Sequence, residues 1–303
     1  MVNSLACHTL LSGPLPARLH RSDSSTPIYS DVPAQRFDPL CSVGTFPPLL
    51  LIHGWLGSAH DWHPIIDCIS SFNHPPKRHI VAVDLPGHGD SPPWDDGTLT
   101  FSSLCDALAS LITEQFTLTP PIIVGYSLGG RLALQLARRF PTIIHSLVML
   151  AAHPGLPEDN ETKIGKSPRA ERRALDLARA HEVTTIPWPL FIEKWYELPV
   201  FSSLRTNPTI REQIINKRLA HPPAAPAPLL TALSLAHQPP PPKTLTIPTH
   251  QIVGSLDPIY QSLAHGAPWM NATSQHRITV IESAGHAVMY EGAQEVAEVL
   301  AGW

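Results

Sequence analysis

The residue around which this 303-residue chain can do chemistry is Ser127, at the centre of Val124-Gly125-Tyr126-Ser127-Leu128-Gly129-Gly130-Arg131. An apolar run, Pro121 to Val124, precedes it, and a run with helical spacing, Arg131 to Arg139, follows. The pattern predicts a strand, a sharp turn and a helix, with Ser127 at the tip of the turn. Gly125 and Gly129 lack Cβ atoms, so strand and helix can pack close around that turn. A hydroxyl held there becomes a base or nucleophile when an imidazole takes its proton and a carboxylate fixes the imidazole's tautomer. Two loops further on supply such groups: Val253-Gly254-Ser255-Leu256-Asp257-Pro258 offers Asp257, and Ser283-Ala284-Gly285-His286 offers His286. Both follow apolar runs, in the order serine, acid, histidine. Singly, each has a plainer reading: a serine in a glycine-rich surface loop, a turn-forming aspartate before a proline, one of 17 histidines. Together they predict a triad. No carboxylate follows the earlier apolar run, which ends in Ala151-Ala152-His153. The backbone N–H groups of Trp55 and Leu128 are the expected oxyanion-hole donors. His53, Asp84 and His88 are read as residues that order loops.

These residues need a scaffold that presents them on one edge. Apolar runs at Pro48–His53, His79–Asp84, Pro121–Val124, His145–Ala152, Thr246–Val253 and Arg277–Ile281 predict buried strands, and helical spacing marks Phe101–Phe116 and Ala293–Leu300. Continuous apolar strands alternating with helices predict an α/β fold: a mostly parallel sheet with helices on both faces. Ligands in such sheets bind at the carboxyl ends of the strands, where every loop named above falls. The alternation breaks between Gly155 and Pro242. That stretch reads as an inserted helical cap over the strand ends, with Pro222–Pro228 and Pro239–Pro242 as stiff connections. The expected organisation is an N-terminal extension over 1–45, partly disordered, a core over 46–154 and 243–303, and the cap over 155–242. Residues 1–30 show little apolar periodicity and are expected to be dispensable. Arg18 and Arg21 with no acid before Asp23 allow a weak organelle-targeting reading, and the default compartment is the cytoplasm.

Composition narrows the partners. The net charge is −4, which excludes a global basic field for nucleic acid. Residues 155–240 nevertheless hold 11 Lys/Arg against 9 Asp/Glu, so the cap is cationic within an acidic chain. Cys7, Cys41, Cys68 and Cys105 lack metal-ligand spacing and read as free thiols in a reducing compartment. No apolar run approaches the roughly 18 residues of a membrane span. The expected state is a monomer or small homo-oligomer.

Taken together, these motifs resemble the α/β-hydrolase superfamily from about residue 47 to the end. A serine rather than an aspartate at the elbow argues against haloalkane-dehalogenase and epoxide-hydrolase chemistry. The chain also resembles the 2-succinyl-6-hydroxy-2,4-cyclohexadiene-1-carboxylate synthases of menaquinone and phylloquinone biosynthesis. The matching stretches are Val83-Asp84-Leu85-Pro86-Gly87-His88-Gly89, the serine motif through Arg131, and His153-Pro154-Gly155-Leu156. Within the cap they are Arg169 and Arg172 with Asp176, Trp195-Tyr196 with Pro199-Val200-Phe201, Arg218, and Ser234-Leu235-Ala236 with Gln238-Pro239. Pro157 departs from the polar residue often found after His-Pro-Gly-Leu, and the proline-rich returns and first 45 residues depart from the compact pattern. The resemblance implies a lyase that eliminates pyruvate from 2-succinyl-5-enolpyruvyl-6-hydroxy-3-cyclohexene-1-carboxylate, with the triad as base and no cofactor or metal. That substrate carries three carboxylates, which arginine forks suit. The expected substrate contacts are Tyr126, Arg131, Arg169, Arg172, Trp195 and Arg218; solvated charges or core aromatics are the plainer alternatives. A serine hydrolase of esters or vinylogous C–C bonds is the alternative activity. A catalytically dead binding protein would lack a triad member, and none is missing.

Overall fold

The computed structural model describes residues 5–12, 46–73, 78–94, 96–158, 167–271, 273 and 275–303. Seven strands form one sheet in the order β1-β3-β2-β4-β5-β6-β7: β1 (Cys7–Ser12), β2 (Leu49–Ile52), β3 (Arg78–Val83), β4 (Ile122–Tyr126), β5 (Ser146–Leu150), β6 (Thr249–Gly254) and β7 (His276–Ile281). All neighbours run parallel except β1, which pairs antiparallel with β3 from Cys7↔Val83 to Ser12↔Arg78. The central strands carry continuous apolar runs, as in Leu49–Ile52, Ile80–Val83 and Leu147–Leu150, because both faces are covered. Leu49, Leu51, Ile80, Ala82, Ile122 and Val124 enter one core; Leu50, Ile52, Val81, Val83 and Ile123 enter the other. The first core packs on α1 (His63–Ser71) and α10 (Ala293–Ala301), the second on α2 (Phe101–Gln115) and α3 (Leu128–Arg139).

Between β5 and β6 lie α4 (Pro168–Thr185), α5 (Trp188–Tyr196), α6 (Pro208–Ala220) and α7 (Pro226–Ala232). Their apolar faces join both cores: Val183, Phe191 and Ile214 extend the first, and Leu229 and Leu233 the second. Two charged links also bind this helical segment to the sheet side. Arg218 of α6 reaches Asp61, in the 3-10 turn after β2, with Nη1 and Nη2 at 2.7 and 2.6 Å. Lys217 Nζ donates to the His60 carbonyl at 2.8 Å. After β6 and β7 come α8 (Pro258–His265) and the short α9 (Val288–Glu291).

Two expectations are corrected here. Residues 7–12, expected within a partly disordered extension set apart from the core, are a strand of the sheet, and His8 Nε2 lies 2.7 Å from Asp84 Oδ2. The stretch Pro222–Pro228 is not wholly a stiff connection, because Pro226 and Pro228 stand in the first turn of α7. A proline there sacrifices only an N–H that has no intrahelical partner. The expected disorder and targeting signal, with Arg18, Arg21, Asp23 and Cys41, lie outside the described residues. Cys7, Cys68 and Cys105 are free thiols. No helix among the described residues is long and apolar enough to cross a membrane.

Candidate active site

Ser127 sits between the last residue of β4 and the first of α3, at φ 49° and ψ −108°. A side-chain-bearing residue in that conformation is strained, and the strain is sustained by tight packing. A Cβ on Gly129 would collide with the carbonyls of Ile52 and His53, and one on Gly125 with the Gly129 carbonyl. The Ser127 N–H is fixed to the Leu150 carbonyl at 2.9 Å. The hydroxyl therefore has a set position above the sheet.

The loops after β6 and β7 bring the other two groups to it. Asp257 caps α8, its Oδ1 accepting from the Tyr260 N–H at 3.2 Å. Its Oδ2 lies 3.0 Å from His286 Nδ1, and His286 Nε2 lies 3.3 Å from Ser127 Oγ. A Nδ1–H donated to the carboxylate leaves Nε2 free to accept the serine proton. The imidazole is buried, with its ring centroid 4.5 Å from that of Tyr260, 5.6 Å from Phe201 and 5.8 Å from Tyr126. Its loop is held by Glu291, whose carboxylate accepts the Gly285 N–H at 3.0 Å.

The loop after β2 is ordered by two buried histidines. His53 Nε2 accepts from the Leu85 N–H at 2.9 Å and its Nδ1–H meets the Gly54 carbonyl at 2.7 Å. His88 Nε2 accepts from the Leu56 N–H at 3.3 Å, and its Nδ1–H meets the Pro86 carbonyl at 3.0 Å. Burial, reinforced by the neighbouring His53, pushes His88 down to about 3, so it stays neutral. Burial likewise lowers His53, although Asp84 opposes the shift. Trp55 is fixed through its indole N–H to the Pro226 carbonyl at 2.9 Å. Leu128 opens α3, where N–H groups have no intrahelical partner.

A cavity of about 590 Å³ opens over Ser127 and His286, lined also by Gly54, Trp55, Tyr126 and Trp195. Its cations are Arg172, Arg179 and Arg218, and its acids are Asp61 and Glu171. Arg218 and Asp61 neutralise each other, both wholly desolvated, and Asp61 also accepts from the Tyr290 hydroxyl at 2.8 Å. Burial would raise the Asp61 carboxyl, but Arg218 outweighs it and the group is held low. Breaking such a pair by removing one partner typically costs about 3–5 kcal/mol.

Of the expected substrate contacts, Tyr126, Arg172, Trp195 and Arg218 line this cavity; Arg131 and Arg169 do not. Arg131 is buried one layer behind the wall. Its Nε donates to Gln238 Oε1 at 2.8 Å, its Nη2 to the Leu233 carbonyl, and its guanidinium lies 5.3 Å from the Phe101 ring centroid. Burial, with the like charge of Arg172, pushes it down to about 9. Arg169 donates to four carbonyls, those of Leu156, Pro157, Ala236 and Gln238, and so clasps the returning chain to α4. Arginine spacing cannot distinguish a fork aimed at ligand from one aimed at backbone carbonyls. Sequence reasoning passed over Arg179, Asp61, Phe201 and Tyr260 as cavity residues. A signal existed for Arg179: Arg172, Asp176 and Arg179 stand at i, i+4 and i+7, one face of a helix.

Among the described residues, His8, Asp84 and Asp90 form the one group whose potential metal ligands lie within 4.8 Å of one another. Asp84 there already accepts the Ala59 and Asp90 N–H groups at 2.7 and 2.9 Å, which makes it a loop staple.

The chain matches the alpha/beta hydrolase fold family over residues 47–293. It is 30% identical over 259 residues to the 2-succinyl-6-hydroxy-2,4-cyclohexadiene-1-carboxylate synthase of Enterobacter sp. (strain 638), covering 84% of this chain and 91% of that protein. It is 34% identical over 197 residues to the protein PHYLLO, chloroplastic, of Arabidopsis thaliana, covering 63% of this chain but only 11% of PHYLLO's length. The solved structure of MenH from S. aureus superposes with a TM-score of 0.72 at 27% identity, covering 84% of this chain and 92% of that one. A thermophilic esterase from Thermogutta terrifontis, at 23% identity and a TM-score of 0.66 over 86% of this chain and 90% of its own, shares the fold. The chain belongs to the alpha/beta hydrolase fold family and, within it, to the 2-succinyl-6-hydroxy-2,4-cyclohexadiene-1-carboxylate synthases.

Proposed function

We propose that this chain is a carbon–oxygen lyase that eliminates pyruvate from 2-succinyl-5-enolpyruvyl-6-hydroxy-3-cyclohexene-1-carboxylate, with Ser127, His286 and Asp257 as its base. The observation that carries the reading is the hydrogen-bonded line from Asp257 through His286 to Ser127 opening into a cavity with Arg172 and Arg179 in its wall. A neutral-ester site gains little from guanidinium groups, whereas a tri-anionic substrate needs them.

In the proposed step, Ser127 Oγ removes the ring proton α to the succinyl ketone as its own proton passes to His286 Nε2. The electron pair enters the ring and shifts the existing C=C bond by one position. The second C=C bond forms as the C–O bond to the enolpyruvyl group breaks. Pyruvate leaves as its enolate, to which His286 returns the proton. Charge that develops on the ketone oxygen meets the Trp55 and Leu128 N–H groups, and Asp257 holds the imidazolium. Tyr126 and Trp195 shape the ring pocket. Every group this step uses belongs to the protein.

The free thiols of Cys7, Cys68 and Cys105 support a reducing compartment such as the cytoplasm. The test supplies the enolpyruvyl substrate to purified protein and follows pyruvate with a coupled dehydrogenase. Stoichiometric pyruvate with appearance of the diene supports the lyase. Brisk turnover of p-nitrophenyl esters without pyruvate release would instead make the chain a serine hydrolase.

A further inference from the structure

The cavity has two electrically different ends. At one, Arg218 is held bidentate by Asp61 and also donates its Nε to the Tyr196 hydroxyl at 3.2 Å. Its fork is committed to these two partners; Lys217, whose Nζ lies 3.8 Å from Asp61 Oδ1, does not line the cavity. At the α4 end the balance reverses. Arg172 and Arg179 bracket a single buried carboxylate, Asp176, from its two sides: Arg172 Nε is 2.8 Å from Oδ2, and Arg179 Nη1 is 3.6 Å from Oδ1. Asp176 Oδ2 also accepts from the Ser234 hydroxyl at 2.8 Å, while Oδ1 accepts no hydrogen bond. At 3.6 Å, Arg179 has an ion-pair contact with Asp176 but no hydrogen bond to it. Arg131 adds a third guanidinium behind this wall, close enough that Arg172 and Asp176 both bear on it. Away from Asp61, which Arg218 holds, the acid in the cavity wall is Glu171, exposed at the rim. Three guanidiniums thus share one buried carboxylate, and two of them face the cavity.

Arg179 is also preset. Its guanidinium carbon lies 5.4 Å from the centroid of the Trp195 ring, and Trp195 itself lines the cavity. A guanidinium held over an indole face is attracted to the ring and keeps N–H groups for a further acceptor. Burial and the like charge of Arg172 weaken its hold on the proton, as expected for cations gathered without enough anion. An incoming carboxylate relieves that imbalance.

We propose that Arg179, held over the Trp195 ring, joins Arg172 in a two-guanidinium clamp that binds one carboxylate of the ligand at the α4 end of the cavity, and that Arg179 thereby sets the preference for a polyanionic substrate. The proposal deepens the lyase reading and rests on it for the identity of the substrate; the clamp itself rests on charge and geometry. Arg218, by contrast, is a positioning residue that ties α6 to Asp61.

The test has two arms. In the first, succinate is titrated into the purified protein and binding is read by calorimetry and by thermal shift, with no turnover involved. Wild type is expected to bind succinate, Arg179→Met to bind at least about tenfold more weakly, and Arg179→Lys to recover part of the loss, since one charge-assisted contact is worth about a decade or more. Raising the salt should weaken wild type more than Arg179→Met. In the second arm, pyruvate release from the enolpyruvyl substrate should show Arg179→Met acting on KM more than on kcat. Arg179→Gln serves as a second neutral variant should the methionine destabilise the helix. Succinate binding equal in wild type and both neutral variants, or no succinate binding in wild type, overturns the clamp. Absence of pyruvate release by a wild type that binds succinate through Arg179 overturns the lyase reading and leaves the clamp standing.

Discussion

At the scale of single residues, the serine at the elbow carries strain and chemistry together. Its φ of 49° is sparsely populated for a residue with a Cβ. Ser127→Ala keeps the Cβ and removes only the hydroxyl, so Tm should stay within about a degree. Turnover should fall by roughly a thousandfold or more, as when a member of such a triad is removed elsewhere. Ser127→Gly should be equally inactive yet slightly more stable, by up to about 1 kcal/mol, because glycine tolerates this backbone. Turnover and thermal melts measured on the same samples decide it; a folded, active Ser127→Ala removes the base from the proposed step. Arg131 behaves differently. Its fork is committed to Gln238 and the Leu233 carbonyl. Arg131→Met should therefore lower Tm along with kcat/KM, by about 1–3 kcal/mol of stability, because a buried acceptor and a buried amide lose their donor. Activity lost with no change in Tm would show that Arg131 reaches the substrate itself.

At the scale of elements, the strand that sequence periodicity passed over yields the sharpest expectation. β1 covers the outer edge of β3, and His8 on it pairs with Asp84, which in turn staples the Ala59 and Asp90 N–H groups. Deleting residues 1–12 should thus lower Tm by several degrees, against the sequence-based expectation that this region is dispensable. His8→Ala should reproduce part of that loss, about 1–3 kcal/mol in urea unfolding. An unchanged urea midpoint in His8→Ala would mean that the strand is held by its ladder alone. The reason β1 escaped notice is physical. Its partner lies more than 60 residues away in sequence, and Cys7–Ser12 mixes polar and apolar residues on an edge strand. β2 to β6 were readable because strands buried on both faces carry continuous apolar runs, such as Leu49–Ile52 and Ile80–Val83. Ser127, Asp257 and His286 were readable because each stands at the end of such a run, so knowing the sheet is parallel brings their loops to one edge. The cavity wall was only partly readable. The face Arg172, Asp176 and Arg179 follows from helical spacing, but Arg169 and Arg131 turn toward carbonyls that only the fold places beside them. Likewise Asp61 meets Arg218 across 157 positions, a pairing no local pattern encodes.

At the scale of the whole molecule, the buried histidines set how the protein meets acid. Burial, with His53 nearby, holds His88 at about 3. Burial, with Arg131 and Arg172, holds His153 at about 3. Burial, with Arg277, holds His250 at about 4. In the unfolded chain each titrates near 6.5. All three folded values are depressed, so above pH 6.5 neither state carries these protons and stability does not change on their account. As pH falls below 6.5 the unfolded chain binds them and the folded protein does not. Stability is then lost continuously until the folded values are reached. Each such histidine contributes a slope of about 1.4 kcal/mol per pH unit, so three acting together give about 4 kcal/mol per unit. Asp84 acts lower on the scale. Burial would raise its carboxyl, but the His8 hydrogen bond, His53 and the Ala59 and Asp90 N–H groups bring it to about 2. Its contribution is complete above the ordinary carboxylate value of 3.8 and is lost only as pH falls from there toward 2. With a total stability of roughly 5–15 kcal/mol, the histidine slope should remove most of it between about pH 5 and pH 4, before Asp84 starts to titrate. Tm should therefore be flat from pH 8 to 7 and fall steeply from pH 6.5 to 4.5. His250→Gln, which keeps a polar partner for Thr279 and cannot take up a proton, should reduce the slope by about a third below pH 6. A Tm that holds level down to pH 5, or a His250→Gln slope equal to wild type, would show that these imidazoles take up protons without unfolding the chain.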